Sequence, residues 1–80
     1  MESVSDRYEL MMKSVRENVP NPDLELIDQA FEFAREKHGD QLRKDGSLYI
    51  THPLATAEIV AKMGLDTDSV IAALLHDCIE

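Results

Sequence analysis

Apolar residues recur at helical spacing along nearly the whole chain. In SDRYELMMKSVREN, Tyr8, Met11, Met12 and Val15 fall on one stripe at steps of three and four, with polar positions filling the rest of each turn. This spacing predicts a first helix, with Ser5 placed to cap its start and Pro20 to stop it. The stretch VPNPD then reads as a turn in which Asn21 caps and Pro22 takes the first position of the next helix. That second helix carries Ile27, Ala30, Phe31, Ala34 and His38 at the same period. Asp23 and Glu25 lie near its positive end, Lys37 and His38 near its negative end, and Gly39 closes it.

Residues 40–51, DQLRKDGSLYIT, break the period. Asp45-Gly46 is a turn signal and SLYIT leans towards strand, so this segment reads as a structured loop with room for a small ribbon. Thr51 or His52 opens a third helix, with Pro53 in its first turn, running through Met63 to Gly64. LDTD is a tight connection that offers Asp66 or Thr67 as a cap, and a fourth helix runs from about Asp68 to the end. The expected fold class is all-α: about four helices, with one structured loop between the second and third.

Composition narrows this. Eighty residues make one small domain or a piece of a larger one, and 44% hydrophobic content is that of a globular chain. Cys78 is the single cysteine, so no disulfide can form within the chain, which suits a reducing compartment. By itself Cys78 reads as a small buried apolar residue. No run approaches the roughly 18 apolar residues that span a bilayer, and no membrane partner is expected. The net charge of −8 argues against bulk nucleic-acid binding. Yet Arg35, Lys37, Arg43 and Lys44 crowd one short stretch, either as a solvated surface cluster or as a local patch for an anion.

The chemistry gathers on the fourth helix, which ends LLHDCIE. At about 100° per residue, Glu80 lies roughly 40° and Asp77 roughly 100° from His76, so the three share one flank. Ile71, Leu74, Leu75 and Cys78 fall on the other half and can face the core. Ala72 and Ala73, one turn earlier, would leave space beside the trio. Taken alone, such a trio is also what an exposed polar edge looks like.

A second histidine changes the weighting. YITHP sets His52 at a loop-to-helix junction, and antiparallel packing of the third and fourth helices would bring the start of one beside the end of the other. His52, His76 and Asp77 would then converge as an incomplete shell for a divalent ion such as Mn, Fe or Zn. Glu80, one turn on, could stand outside that shell and handle a proton from water.

Widely spaced histidine and adjacent His-Asp ligands resemble the HD phosphohydrolase superfamily. The longer string AFEFAREKHGDQLRKDGSLYITHPLATAEIVAKMGLDTDSVIAALLHDCIE is similar to the N-terminal hydrolase domain of the RelA/SpoT homologues, the enzymes of the alarmone (p)ppGpp. The similarity covers residues 24–80 and includes the loop RKDG…YITHP, which generic HD proteins lack.

The resemblance implies that residues 21–80 are the N-terminal part of an HD-domain bundle, preceded by a helix and linker over 1–20. It implies His52, His76 and Asp77 as metal ligands, usually for Mn2+, and Glu80 as the acid tied to activating the attacking water. It also implies Arg43 and Lys44 as the basic pair of the guanine and phosphate pocket. An arginine stacks on a purine face and a lysine meets a phosphate as a point charge. The implied reaction removes the 3′-pyrophosphate of ppGpp or pppGpp, in a cytoplasmic enzyme of the stringent response that can also carry a synthetase. The ribosome would enter only through other domains.

The family's motif continues with an Asp after Glu80 and takes a fourth ligand from further on. The 80 residues are therefore expected to be a fragment, inactive by itself and prone to self-association. The alternatives are an HD phosphohydrolase of another nucleotide and a helical regulatory module without turnover.

Overall fold

The computed structural model describes residues 3–76. Four helices follow in order: α1 (Val4–Asn18), α2 (Leu24–His38), α3 (Thr51–Lys62) and α4 (Thr67–Leu75). Among the described residues the β structure is one isolated antiparallel bridge, Leu42 to Leu48, so the fold is all-α with a minimal ribbon in the loop. No helix among them is long and apolar enough to cross a membrane.

Two helix starts differ from the sequence expectation. Ser3, not Ser5, caps α1. Its hydroxyl accepts from the Asp6 N–H at 3.1 Å while the Asp6 carboxylate accepts from the Ser3 N–H at 3.3 Å. That reciprocal box satisfies two backbone donors, which a cap at Ser5 would leave to water. Likewise Asp23, not Asn21, caps α2, its carboxylate accepting from the Leu26 N–H at 3.1 Å. Asn21 instead takes a left-handed backbone with φ 44°, a conformation asparagine tolerates better than most residues. The Asp23 N–H also donates to Thr67 Oγ1 at 3.1 Å, tying the start of α2 to the start of α4.

The other boundaries follow the sequence. α1 stops before Pro20, with Val19 extended, as the residue before proline prefers. Gly39 ends α2 at φ 52°, its N–H donating to the Arg35 carbonyl. Asp66 caps α4 through the Ser69 N–H at 2.9 Å.

One core joins all four helices. Met11 and Val15 of α1, Ile27 and Ala34 of α2, Leu54, Ala57 and Ala61 of α3, and Val70 and Leu74 of α4 are fully buried within it. α3 packs against both α1 and α4, and α2 packs against α4. Alanines at 57 and 61 let neighbouring axes approach α3 closely, since interaxial distance follows side-chain size. On α4 the buried stripe is Val70, Ala73 and Leu74. Ala73, expected to border the polar trio, is in the core, Ala72 faces solvent, and Ile71 and Leu75, expected to face the core, are half-buried flanks. The reason is the packing: Val70, Ala73 and Leu74 share the face that α4 turns towards α2 and α3. Asp77, Cys78 and Glu80 lie outside the described residues.

Candidate functional site

His52 sits in the first turn of α3, directly where the loop becomes helix. The residue before the helix, Ile50, gives no side-chain cap. Backbone turns replace it: the Thr51 N–H donates to the Leu48 carbonyl at 3.1 Å and the His52 N–H to the Tyr49 carbonyl at 2.9 Å. The Thr51 hydroxyl adds a bond to the Leu48 carbonyl at 2.7 Å. Buried Pro53 has no N–H to satisfy and its φ suits a first turn. With the loop and helix start locked together, His52 is a fixed position.

His76 follows the last residue of α4. Its Nδ1 lies 2.7 Å from the Ala73 carbonyl oxygen. A carbonyl can only accept, so Nδ1 carries the hydrogen and the lone pair is on Nε2. A metal-binding imidazole is commonly held this way, one nitrogen donating to a carbonyl and the other facing the ion.

The antiparallel packing of α3 and α4 brings these two rings together, 5.7 Å apart between centres and inclined at 62°. Two imidazoles sharing one ion at about 2.1 Å per nitrogen have centres roughly 5 Å apart, so the pair is near that spacing. Two nitrogens are only part of a shell. Among the described residues no group of three or more histidine, cysteine or acidic side chains could hold an ion. Asp77 and Glu80 lie beyond them.

The rings continue away from His76. Tyr49 stands edge-on to His52 at 5.9 Å, and His38, at the end of α2, lies 4.6 Å from Tyr49. His38 Nδ1 also lies 3.3 Å from Gln41 Oε1. Sequence reasoning placed His38 on the apolar stripe of α2 and gave Tyr49 no firm role. Tyr49 thus packs between His38 and the His52 ring. The available signal was a histidine ending an apolar stripe.

The loop carries the basic residues. Its tip is a hairpin in which the Arg43 N–H donates to the Ser47 carbonyl at 2.8 Å and the Gly46 N–H to the Arg43 carbonyl at 2.9 Å. Gly46, at φ 89°, takes the left-handed position that closes such a turn. Asp45 Oδ1 accepts from both the hydroxyl of Ser47, at 2.6 Å, and its N–H, at 2.9 Å. Those bonds, helped by the charge of Arg43, hold the Asp45 carboxyl below its ordinary value.

Arg43, Ser47, Thr51 and His52 line one open cleft of about 370 Å3, together with Arg7 from α1. Arg43 thus meets His52 across a common space. Lys44 does not line it; it lies in a separate depression formed by the hairpin tip, beside Arg43 and Asp45. Arg7 had no sequence signal, being thirty-six residues before Arg43. It is held on α3 by Glu58, 3.8 Å from its guanidinium, and Glu58 pairs in turn with Lys62 at 3.0 Å.

Comparison with known proteins identifies the family. A family described as HD domain matches residues 30–80. The chain is 51% identical over 65 residues to a bifunctional (p)ppGpp synthase/hydrolase RelA of Mycobacterium tuberculosis, covering 81% of this chain and 9% of that protein. It is 55% identical over 56 residues to a guanosine-3′,5′-bis(diphosphate) 3′-pyrophosphohydrolase of Aquifex aeolicus, covering 70% of this chain and 8% of the relative. Over 73 residues it is 41% identical to the bifunctional (p)ppGpp synthase/hydrolase SpoT of Escherichia coli, covering 91% of this chain and 10% of that protein. The chain therefore spans about a tenth of the length of these relatives.

Proposed function

Because the chain belongs to the HD-domain family, in the branch of the RelA/SpoT homologues, we propose that it forms part of a metal-dependent (p)ppGpp 3′-pyrophosphohydrolase site. The observation that carries this reading is the meeting of His52 and His76 from opposite ends of two antiparallel helices. Their donor chemistry suits a divalent ion: two imidazoles, one with its lone pair set on Nε2 by the Ala73 carbonyl. His52, His76 and Asp77 would hold it. A divalent ion there, Mn2+ by the resemblance, would polarise the 3′-linked phosphate and acidify a water.

The chain's own residues do the rest. Arg43, across the cleft from His52, stacks on guanine through its planar cation, and Lys44 reaches a phosphate from the hairpin tip on a flexible stem. Hydrolysis adds the water oxygen to the phosphorus bonded to O3′, breaks that bond and returns a proton to O3′. The products are pyrophosphate and GDP or GTP. Glu80 takes the proton from water, and the basic side chains offset the negative charge of the phosphate groups as O3′ leaves. Tyr49 keeps the His52 ring from turning away. Relatives named for both synthesis and hydrolysis support a bifunctional enzyme for the whole protein.

The test is a substrate panel on the whole protein with added Mn2+: ppGpp, pppGpp, and other nucleoside di- and triphosphates. Release of pyrophosphate from the two alarmones, abolished by His52→Ala and by His76→Ala, is the expected result. Preference for another nucleotide would point to a different HD phosphohydrolase. A lack of turnover on every substrate, with metal bound, would point to a regulatory module.

A further inference from the structure

The cleft beside His52 has a third wall. Its floor is the first turns of α3, at Thr51 and Ala55, and the hairpin supplies Arg43 and Ser47 on one side. The other side is Arg7, from a helix that begins far from the loop in sequence. The Arg7 side chain is three-quarters covered, and its guanidinium lies 3.8 Å from Glu58. Glu58 lies six residues along α3 from His52, a rise of about 9 Å. The cleft therefore has His52, the ring that meets His76, and the cation Arg7 in one lining.

We propose that Arg7 binds the 5′-phosphate chain of the nucleotide, and so sets the preference between a 5′-diphosphate and a 5′-triphosphate substrate. This rests on the hydrolase reading above. With the 3′-pyrophosphate at the histidine pair and guanine on Arg43, the 5′ chain is what remains to be recognised. Arg7, in the lining shared with His52 and Arg43, is the cation placed to meet it. A guanidinium has five N–H donors in a planar fork, enough to keep Glu58 on one edge and hold phosphate oxygens on another. The Glu58 carboxylate is shared between Arg7, at 3.8 Å, and Lys62, at 3.0 Å. The carboxylate in the lining, Asp45, has Oδ1 occupied by both donors of Ser47. The first turn of α3 adds the positive end of a helix dipole to the same space.

The proposal gives α1 a role in substrate choice. Hydrolysis kinetics of the whole protein with Mn2+ should show Arg7→Ala raising KM roughly tenfold with kcat little changed, more for pppGpp than for ppGpp. Arg7→Lys should recover part of the loss, since a point charge still meets a phosphate. Glu58→Gln separates this from a structural effect: it weakens the α1–α3 pair but leaves the cation and an amide oxygen that can still accept from it, so KM should rise clearly less than in Arg7→Ala. Equal KM rises for Arg7→Ala and Glu58→Gln, or an unchanged KM in Arg7→Ala, would overturn the proposal. Binding of GDP and GTP, which carry the 5′ chain without a 3′ group, gives a readout that needs no turnover. Weaker GTP binding in Arg7→Ala supports the proposal even if the alarmones prove not to be substrates. Unchanged binding of both nucleotides rejects it.

Discussion

The His52 ring, in the first turn of α3, faces the His76 ring, just past the end of α4, with 5.7 Å between their centres. Each is fixed by backbone: His52 by the turns that lead from the loop into the helix, His76 by its bond to the Ala73 carbonyl. The pair is thus preorganised by the protein, and its rings are placed without strain on the core. That makes it open to substitution without unfolding.

Removing either ring should therefore leave the fold and lose the metal. His52→Ala and His76→Ala are expected to melt near the parent temperature. Mn2+ affinity should fall by more than the roughly 10–100-fold that a lost supporting hydrogen bond costs. Calorimetric titration with Mn2+ alone checks this. Unaltered affinity in both variants would exclude the pair as ligands.

Asp77 and Glu80 should behave differently from each other. Asp77→Ala removes a charged ligand and should abolish Mn-dependent hydrolysis. Glu80→Gln should retain the metal and lose roughly 10²–10⁴ in rate, the span of a general acid–base group. Metal content beside turnover on the whole protein distinguishes them, and equal metal loss in both would remove Glu80 from the proton-handling role.

Arg43 lines the same cleft as His52, on a hairpin that Ser47 and Asp45 hold in shape. Arg43→Ala should raise KM for ppGpp more than it lowers kcat, as when binding is lost equally in ground and transition states. Arg43→Lys should restore little, because an ammonium does not stack on a purine as a guanidinium does. Parent-like kinetics in both would take the residue out of the pocket.

The start of α4 should impose an acid sensitivity. Hydrogen bonds from the Ser69 hydroxyl and N–H hold the Asp66 carboxyl below its ordinary value of 3.8. A carboxylate lowered on folding contributes stability that is fully present above pH 3.8 and is lost as the pH falls through its depressed folded value. Asp66→Asn keeps an oxygen acceptor for the cap but cannot titrate. Melting temperature followed from pH 6 downward should fall less steeply for Asp66→Asn than for the parent. Parallel curves would show that the cap's charge does not contribute.

Ile59 on α3 and Met63, just past its end, are 61% and 67% exposed. Such pairs favour association when the chain is studied by itself. The 80-residue chain should sediment as concentration-dependent oligomers without measurable ppGpp hydrolysis, and Ile59→Glu with Met63→Lys should shift it towards monomer. A parent chain that is monomeric and turns over substrate would contradict both expectations.

Residue order alone determined the four helices and the break between the second and third, because apolar spacing and Gly and Pro punctuation are local properties. It also determined the candidate ligands, since His52 in YITHP and His76-Asp77 in LLHDCIE are legible as chemistry before any folding. The helix starts were less legible. Ser3 outcompeted Ser5, and Asp23 outcompeted Asn21, because a cap is decided by which side chain reaches backbone donors three residues on. Only the packing decided that Ala73 turns inward, since that depends on which face of α4 meets α3 and α2. Only the packing brought Arg7 to the cleft and His38 against Tyr49. Those meetings join residues from different helices, and side-chain periodicity along one helix carries no information about which partner its faces will find.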